Sequence, residues 1–92
     1  MRSIIGSDVS DPSTKQRIRA FLETNFYIAD KSLLVDDASL LDRGIVDSTG
    51  ILEIVAFLES DFGIKVEDHE LVPDNLDSID RLEAFVATKR AA

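Results

Sequence analysis

Ser48 and His69 are the two residues of this chain that could form a catalytic nucleophile and its base. Ser48 stands in "GIVDSTGILEIV", and His69, the one histidine, stands in "VEDHEL". A serine hydrolase also needs a strained G-x-S-x-G turn and an oxyanion-binding loop, and the sequence offers neither. We therefore expect His69 to be a surface side chain, and we expect the protein to carry no catalytic residues and not to be an enzyme.

The carboxylates are the second candidate for chemistry, as ligands of a metal ion. The stretch "DHELVPDNLDSID" does not match a calcium-binding loop, because no glycine occupies the turn position. The chain has no cysteine, so disulfides and thiolate metal sites are both excluded. We expect no dedicated metal site, although loose binding of divalent cations to the carboxylates stays open.

The acidic side chains are concentrated in the second half of the chain. Asp and Glu number 18 against 10 Lys and Arg, and ten of the acids fall between Asp47 and Asp80, where Lys65 is the one base. A surface of this sign repels nucleic acid and anionic membranes and attracts proteins with basic patches. We expect no nucleic-acid partner and no membrane insertion; an acidic surface that only keeps the protein soluble is the alternative.

The length of 92 residues allows one domain with one modest core. Hydrophobic residues make up 45% of the chain, which is typical of a folded protein. The first ten residues lack the apolar run of a signal peptide, and no later run is long enough to span a bilayer. We expect a monomeric, cytoplasmic protein with a flexible extension over residues 1–10 and a folded domain over residues 11–90.

The first amphipathic helix begins near Pro12. Its N-cap is either Asp11, with Pro12 at the first helical position, or Ser13, with Gln16 completing a capping box. Its apolar face consists of Ile18, Phe21, Leu22 and Phe26. No helical period persists between residues 27 and 46, so we predict a long loop there. The residues expected to hold this loop to the core are Leu33, Leu34, Leu40 and Leu41.

Two further long helices follow the loop. The second helix begins at Asp47 or Ser48 and stops at Gly63, and we expect it to be central because it is apolar on more than one face. Its apolar residues are Ile51, Leu52, Ile54, Val55, Leu58 and Phe62. The last helix is capped by Asp77 or Ser78 and ends with two bases that suit a helix C-terminus. The side chains that it buries are Ile79, Leu82, Phe85 and Val86.

The pattern as a whole predicts an all-α fold. The turn-rich connector "KVEDHELVPDNL" has room for one short helical turn before or after Pro73, and no strand-like alternation is present. We therefore predict a small four-helix bundle of three main helices and one short helix, with a long first loop.

The stretch "GIVDSTGILEIVAFLESDFGI" resembles the phosphopantetheine attachment region of acyl carrier proteins. In that family an Asp-Ser pair is followed by a helix with a glutamate five positions after the serine, and the helix ends near an aromatic residue and a glycine. The corresponding residues here are Ser48, Glu53, Phe62 and Gly63. The resemblance extends over roughly residues 13 to 88 and includes "DSIDRLEAFV", which is similar to the fourth helix of the family.

The resemblance implies an acyl-carrier-like domain over residues 11–90, with 4′-phosphopantetheine from coenzyme A attached to Ser48 by a phosphopantetheinyl transferase. Asp47 would help the transferase to recognise the site. The thiol of the arm would carry acyl groups as thioesters, which an acyl-loading ligase or synthase and acyltransferases would add and use in fatty acid or specialised lipid or polyketide biosynthesis. The acidic face read by basic docking patches on these partners would consist of Glu53, Glu59 and Asp61. The acyl pocket would be lined by Val46, Ile54, Leu58, Phe62, Leu76 and Ile79.

Two features depart from the family pattern, and two other functions stay open. Thr49 and Gly50 follow the serine where the family usually has a bulky aliphatic residue, and Gly44 lies four positions before it, as in specialised or stand-alone carriers. A peptidyl or aminoacyl carrier would use the same attachment chemistry for an amino acid. An unmodified acidic interaction module would use Ser48 only as a helix cap.

Overall fold

Four α-helices form a small bundle over residues 12–91, the part of the chain that the computed structural model describes. The helices are α1 (Pro12–Asn25), α2 (Ser48–Phe62), α3 (Pro73–Leu76) and α4 (Ile79–Ala91). Short 3₁₀ turns occupy Lys31–Leu33 and Asp68–Glu70, and residues 12–91 contain no β-strand. The predicted fold class is therefore confirmed. The expected extension over residues 1–10 and the Asp11 cap lie outside the described residues.

Local signals set the ends of α2 and the start of α4. Asp47 has extended backbone angles, and its Oδ1 accepts a hydrogen bond from the Gly50 main-chain N–H at 2.7 Å, so Asp47 is the N-cap. Gly63 ends α2 at φ +67°, a left-handed conformation that glycine adopts without steric cost. Ser78 Oγ accepts from the Arg81 N–H at 3.0 Å and begins α4. Asp47, and not Ser48, is therefore the N-cap of α2, and Ser78, and not Asp77, is that of α4.

The core is built from one apolar face of each long helix and from single residues of the loops. The backbone of α4 approaches those of α1 and α3 closely. All four residues that the sequence assigns to the core face of α4 are buried. The buried cluster consists of Ile18, Leu22, Leu34, Leu40, Val46, Ile54, Leu58, Phe62, Leu76, Ile79, Leu82, Phe85 and Val86.

Helices α1 and α2 run antiparallel and meet through aromatic side chains. The Phe21 and Phe57 rings stack with centroids 4.2 Å apart, and the Arg17 guanidinium lies 4.4 Å from the Phe62 ring centroid. The fully buried residues of α2 form a single stripe at four-residue spacing. Leu52, which the sequence groups with the apolar residues of this helix, is 59% exposed.

Gly50 allows the close approach of Phe26, the residue after α1, to the first turn of α2. A Cβ atom at this position would lie 2.8 Å from Phe26 Cε1 and 2.9 Å from Val46 Cγ1, distances that real Cβ contacts essentially never show. The glycine lowers helix propensity by about 1 kcal/mol relative to alanine. Its presence in the helix is thus explained by the space that the Phe26 ring occupies.

Half of the predicted anchors of the long first loop are correct. Leu34 and Leu40 are buried, as expected, whereas Leu33 is 42% and Leu41 38% exposed. The prediction for Leu33 and Leu41 was wrong because this segment follows turns instead of a regular period, so adjacent leucines point in different directions. Ala38 joins the buried residues of the loop.

Candidate functional site

Ser48 is the first residue of α2, and its side chain is exposed to solvent. The cap at Asp47 uses the N–H of Gly50, while the N–H groups of Ser48 and Thr49 have no acceptor among residues 12–91. Unpaired N–H groups and the positive end of the helix dipole favour an anion at this point. An anionic group attached to the serine hydroxyl would therefore meet two N–H donors, although the Asp47 carboxylate lies beside them.

An apolar cavity of about 210 Å³ adjoins Ser48. It lies between α2, the first loop and the segment that leads into α3. Its walls are Leu41, Ser48, Ile51, Leu71, Val72, Pro73 and Leu76. Leu41, Leu71 and Val72 are partly exposed large hydrophobic residues. Their exposure together at the mouth of one cavity, beside an exposed hydroxyl, distinguishes this region from scattered apolar residues on a surface.

Asp77 ties two walls of this cavity together. The residue is 8% exposed, and its carboxylate accepts hydrogen bonds from the Leu41 N–H at 2.9 Å and from Ser39 Oγ. Its main-chain oxygen accepts from the Leu40 N–H at 3.0 Å. Because Asp77 directly follows Leu76, these bonds hold the loop wall at Leu41 against the α3 wall at Leu76.

The six residues predicted to line an acyl pocket are all buried in the core cluster. Of these six, Leu76 borders the cavity beside Ser48. The other five are Val46, Ile54, Leu58, Phe62 and Ile79, which pack inside the bundle. Helical spacing identifies residues that face inward, but it does not indicate which of them stand next to an opening. The cavity walls that the sequence pattern did not indicate are Leu41, Ile51, Leu71, Val72 and Pro73.

The three predicted docking acids lie on α2 and are exposed, but they differ in their partners. Asp61 Oδ2 lies 3.1 Å from Arg17 Nη2, and Glu59 Oε2 accepts a hydrogen bond from the Val66 N–H at 2.9 Å. Glu53 has no hydrogen-bond or ion-pair partner within the described part of the chain. Asp61 is thus the one of the three whose charge is paired with a base within residues 12–91, and Glu53 is the one with no partner of either kind there.

Bases of α1 neutralise part of the acidic half of the chain. Lys15 Nζ lies 2.8 Å from Asp80 Oδ1 and 3.2 Å from Asp36 Oδ2, and Arg19 also contacts Asp36. The hydrogen bonds to Asp80 and Asp36 raise the pKa of the Lys15 ammonium above its usual value. The hydrogen bonds from Arg19 and Lys15 hold the pKa of the Asp36 carboxyl below its usual range.

A further ion pair joins α4 to the turn at Asp68–Glu70. Lys89 Nζ lies 2.9 Å from Glu70 Oε1. The hydrogen bond from the Glu67 N–H, followed by that from Lys89, lowers the pKa of the Glu70 carboxyl. Pairings of this kind join residues far apart in the sequence, so composition alone overstates the unpaired negative charge.

His69 lies exposed in the 3₁₀ turn between the long helices, as the sequence predicts for a surface side chain. Among residues 12–91 there is no group of three or more His, Cys, Asp or Glu side chains arranged to hold a metal ion. Over the same range, no helix combines the length and apolar character needed to cross a bilayer.

No protein-family model matches this chain, and no curated protein matches its sequence significantly. The resemblance to acyl carrier proteins therefore rests on the sequence alone.

Proposed function

We propose that this protein is an acyl carrier, modified at Ser48 with 4′-phosphopantetheine from coenzyme A. The observation that carries the proposal is the exposed hydroxyl of Ser48 at the start of α2, beside an apolar cavity of about 210 Å³.

The residues around Ser48 fit the attached group. The hydroxyl is accessible, and the N–H groups of Ser48 and Thr49 have no acceptor within residues 12–91, so they are available to a phosphodiester. The third N–H of the first turn, that of Gly50, donates to the Asp47 carboxylate, and this bond fixes the direction in which α2 begins. The group itself supplies a flexible arm with a terminal thiol, which holds an acyl chain as a thioester.

The cavity supports an acyl cargo over an aminoacyl cargo. Six of its seven wall residues are apolar, so an amino group placed there would lose its hydration without a partner. A cavity of about 150 Å³ accommodates the six carbons of benzene. By proportion, about 210 Å³ accommodates a chain of about eight carbons.

The proposed partners are a phosphopantetheinyl transferase, an acyl-loading ligase or synthase, and acyltransferases that use the cargo. In this proposal the partners supply the catalytic groups. Glu53, the predicted docking acid without a partner in residues 12–91, is suited to a basic patch on such an enzyme. Contacts between exposed charges raise the rate of association and still permit release, which a carrier requires.

The test of attachment is intact-protein mass spectrometry after incubation with coenzyme A and a broad-specificity transferase. We expect a gain of about 340 Da, the covalent mass of one phosphopantetheine group. Ser48→Ala should abolish the gain, and Thr49→Ala, which removes the neighbouring exposed hydroxyl, should retain it. A gain of the same mass in Ser48→Ala would refute the assignment.

The test of cargo is the melting temperature of the modified protein with and without an eight-carbon acyl group. Burial of the chain should stabilise the fold by up to about 0.8 kcal/mol for each methylene removed from water. Leu71→Ala, at the cavity, should reduce this increment more than Leu52→Ala, on the exposed face of α2. An aminoacyl carrier would show almost no increment, and that result would favour the alternative cargo while leaving the arm on Ser48.

A further inference from the structure

One short segment of the chain, residues 70–76, stands between two cavities. It contributes four walls to the apolar cavity beside Ser48, and three walls to a second cavity of about 260 Å³ whose other walls all belong to α4. Its residues in the apolar cavity are Leu71, Val72, Pro73 and Leu76, and those in the second cavity are Glu70, Asp74 and Asn75. We call residues 70–76 the dividing segment, because α2 and the first loop lie across one cavity from it and α4 lies across the other.

The second cavity differs from the first in polarity. Polar or charged side chains make up six of its eight walls, whereas six of the seven walls beside Ser48 are apolar. Water enters and leaves a polar cavity of this size, so its volume can be given up when a wall moves inward. A close-packed core offers no such room. The dividing segment therefore has space to move on its α4 side.

Buried side chains do not hold the dividing segment in place. No residue from 67 to 75 is buried, whereas all four residues from 76 to 79 are. Apart from one bond from the Arg81 side chain, the main-chain hydrogen bonds of residues 67–74 reach no farther than residue 77 within the described chain. A segment without buried apolar contacts opens at a lower free energy than the core. Its buried end, at Leu76, can thus act as the pivot of a movement.

Two bases of α4 tie the dividing segment to that helix. Lys89 Nζ lies 2.9 and 3.1 Å from the two carboxylate oxygens of Glu70, and Arg81 Nη1 donates to the Pro73 oxygen at 3.3 Å. Both bases are walls of the polar cavity. Because their side chains are long and flexible, these bonds can persist while the segment shifts toward α4.

The walls opposite the dividing segment are fixed. The Leu41 N–H is bonded to the Asp77 carboxylate at 2.9 Å, and Ser48 and Ile51 belong to α2, whose inner stripe is buried in the core. Packed helices of this kind resist compression. A ligand too large for the apolar cavity therefore meets least resistance from the dividing segment.

We propose that the dividing segment is a movable wall, which a chain of more than about eight carbons pushes toward α4, so that the apolar cavity grows as the polar cavity shrinks. The identity of this ligand rests on the proposed function, whereas the motion belongs to the unmodified protein as well. At six carbons for each 150 Å³, half of the polar cavity adds room for about five carbons. The carrier would then hold a twelve-carbon chain as well as an eight-carbon chain.

Amide hydrogen exchange in the unmodified protein tests the motion. The amides of Leu71 and Val72 should be less protected than that of Leu41 on the fixed wall. Lys89→Met keeps the aliphatic stem and removes the tie, so it should raise exchange at Leu71 and Val72 by about threefold to fivefold. The matched control is Lys65→Met, which removes an exposed base of the same connector that has no partner among residues 12–91.

The melting temperature of the modified protein, carrying an eight-carbon or a twelve-carbon acyl group, tests the growth of the cavity. In the wild type, the twelve-carbon increment should be about one and a half times the eight-carbon increment, in proportion to the carbons buried. Ala84→Phe places a ring in the polar cavity from an exposed position of α4, and Thr88→Phe does so from the next turn. Both should leave the eight-carbon increment unchanged and abolish the extra increment of the longer chain. The matched control is Ala20→Phe, at an exposed position of α1 that borders neither cavity.

The outcomes separate this inference from the function on which it rests. Equal increments for the two chain lengths in the wild type, or an extra increment retained in both filling variants, would overturn the movable wall and leave the carrier function intact. Exchange at Leu71 that is the same in Lys89→Met as in Lys65→Met, with protection equal to that of Leu41, would overturn it without any modified protein. Failure of the wild type to be modified would overturn the proposed function, and the exchange experiment would still decide whether the segment moves.

Discussion

Replacement of Asp77 by alanine should destabilise the protein by about 3 kcal/mol. The carboxylate accepts hydrogen bonds from the Leu41 N–H and Ser39 Oγ, and bonds to charged groups contribute about 1.5–3 kcal/mol each. The sum of about 3–6 kcal/mol is reduced because alanine also removes a charged group from a residue that is only 8% exposed. The Leu41 N–H would be left without its acceptor, and the cavity wall beside Ser48 would loosen.

Asp77→Asn is the matched control for this prediction. Asparagine keeps Oδ1 as an acceptor for the Leu41 N–H, and its Nδ2 can donate to Ser39 Oγ, which still accepts from the Asp42 N–H. What is lost is the charge that strengthens both bonds. We expect a cost of about 1 kcal/mol for asparagine, near the net value of one neutral hydrogen bond.

The chain has no tryptophan whose fluorescence could report unfolding. Both costs should therefore be measured by urea unfolding followed by far-ultraviolet circular dichroism. Hydrogen exchange of the Leu41 amide provides a local readout, and this amide should exchange faster in Asp77→Ala than in Asp77→Asn. Equal costs for the two substitutions would refute the argument from the retained acceptor. A cost below about 0.5 kcal/mol for alanine would place Asp77 among ordinary surface positions.

Three further predictions follow from other contacts. Gly50→Ala should lower stability by about 1 kcal/mol, because overpacking against Phe26 at 2.8 Å costs about 1–3 kcal/mol and exceeds the gain in helix propensity; urea unfolding measures this. The pKa of Asp36 is depressed in the folded state, so its stabilisation is complete above the ordinary carboxyl pKa and is lost as the pH falls through the folded value. In Asp36→Asn, the melting temperature should therefore fall less steeply than in the wild type as the pH is lowered through the acid range. Glu53→Lys should slow modification of Ser48 more than Glu23→Lys does, and less so at high salt, as stopped-time transfer assays would measure.

Each of these predictions has an outcome that contradicts it. The cost of Gly50→Ala should fall in a Phe26→Ala background, and an unchanged cost would show that the Phe26 ring is not its source. An acid limb in Asp36→Asn as steep as that of the wild type would assign acid unfolding to other carboxyls. Equal slowing by the substitutions at Glu53 and Glu23 would show that docking is not localised to α2.

The helices and much of the core can be read from the sequence. Asp47 at the start of α2 and Gly63 after its end act through bonds and backbone angles within a few residues, so the sequence contains the whole signal. The same is true of the buried stripe of α2 and of the four buried residues of α4, whose spacing follows from 3.6 residues per turn. The exposed position of Ser48 at the first turn of α2 follows from the same local signals, and it is the central element of the candidate site.

Only the tertiary structure decides which residues surround Ser48. Leu41 and Leu71 come from opposite sides of α2 in the sequence and become neighbours because Asp77 fastens the first loop to the start of α4. From the sequence, Gly50 is only a residue of low helix propensity. The structure shows that the Phe26 ring, 24 positions earlier, fills the space that a larger side chain at this position would need. The first loop has no period, so the burial of each of its leucines depends on contacts made elsewhere in the chain. Local preferences determine where the helices begin and end, whereas cavities and pairings depend on contacts between segments that only folding brings together.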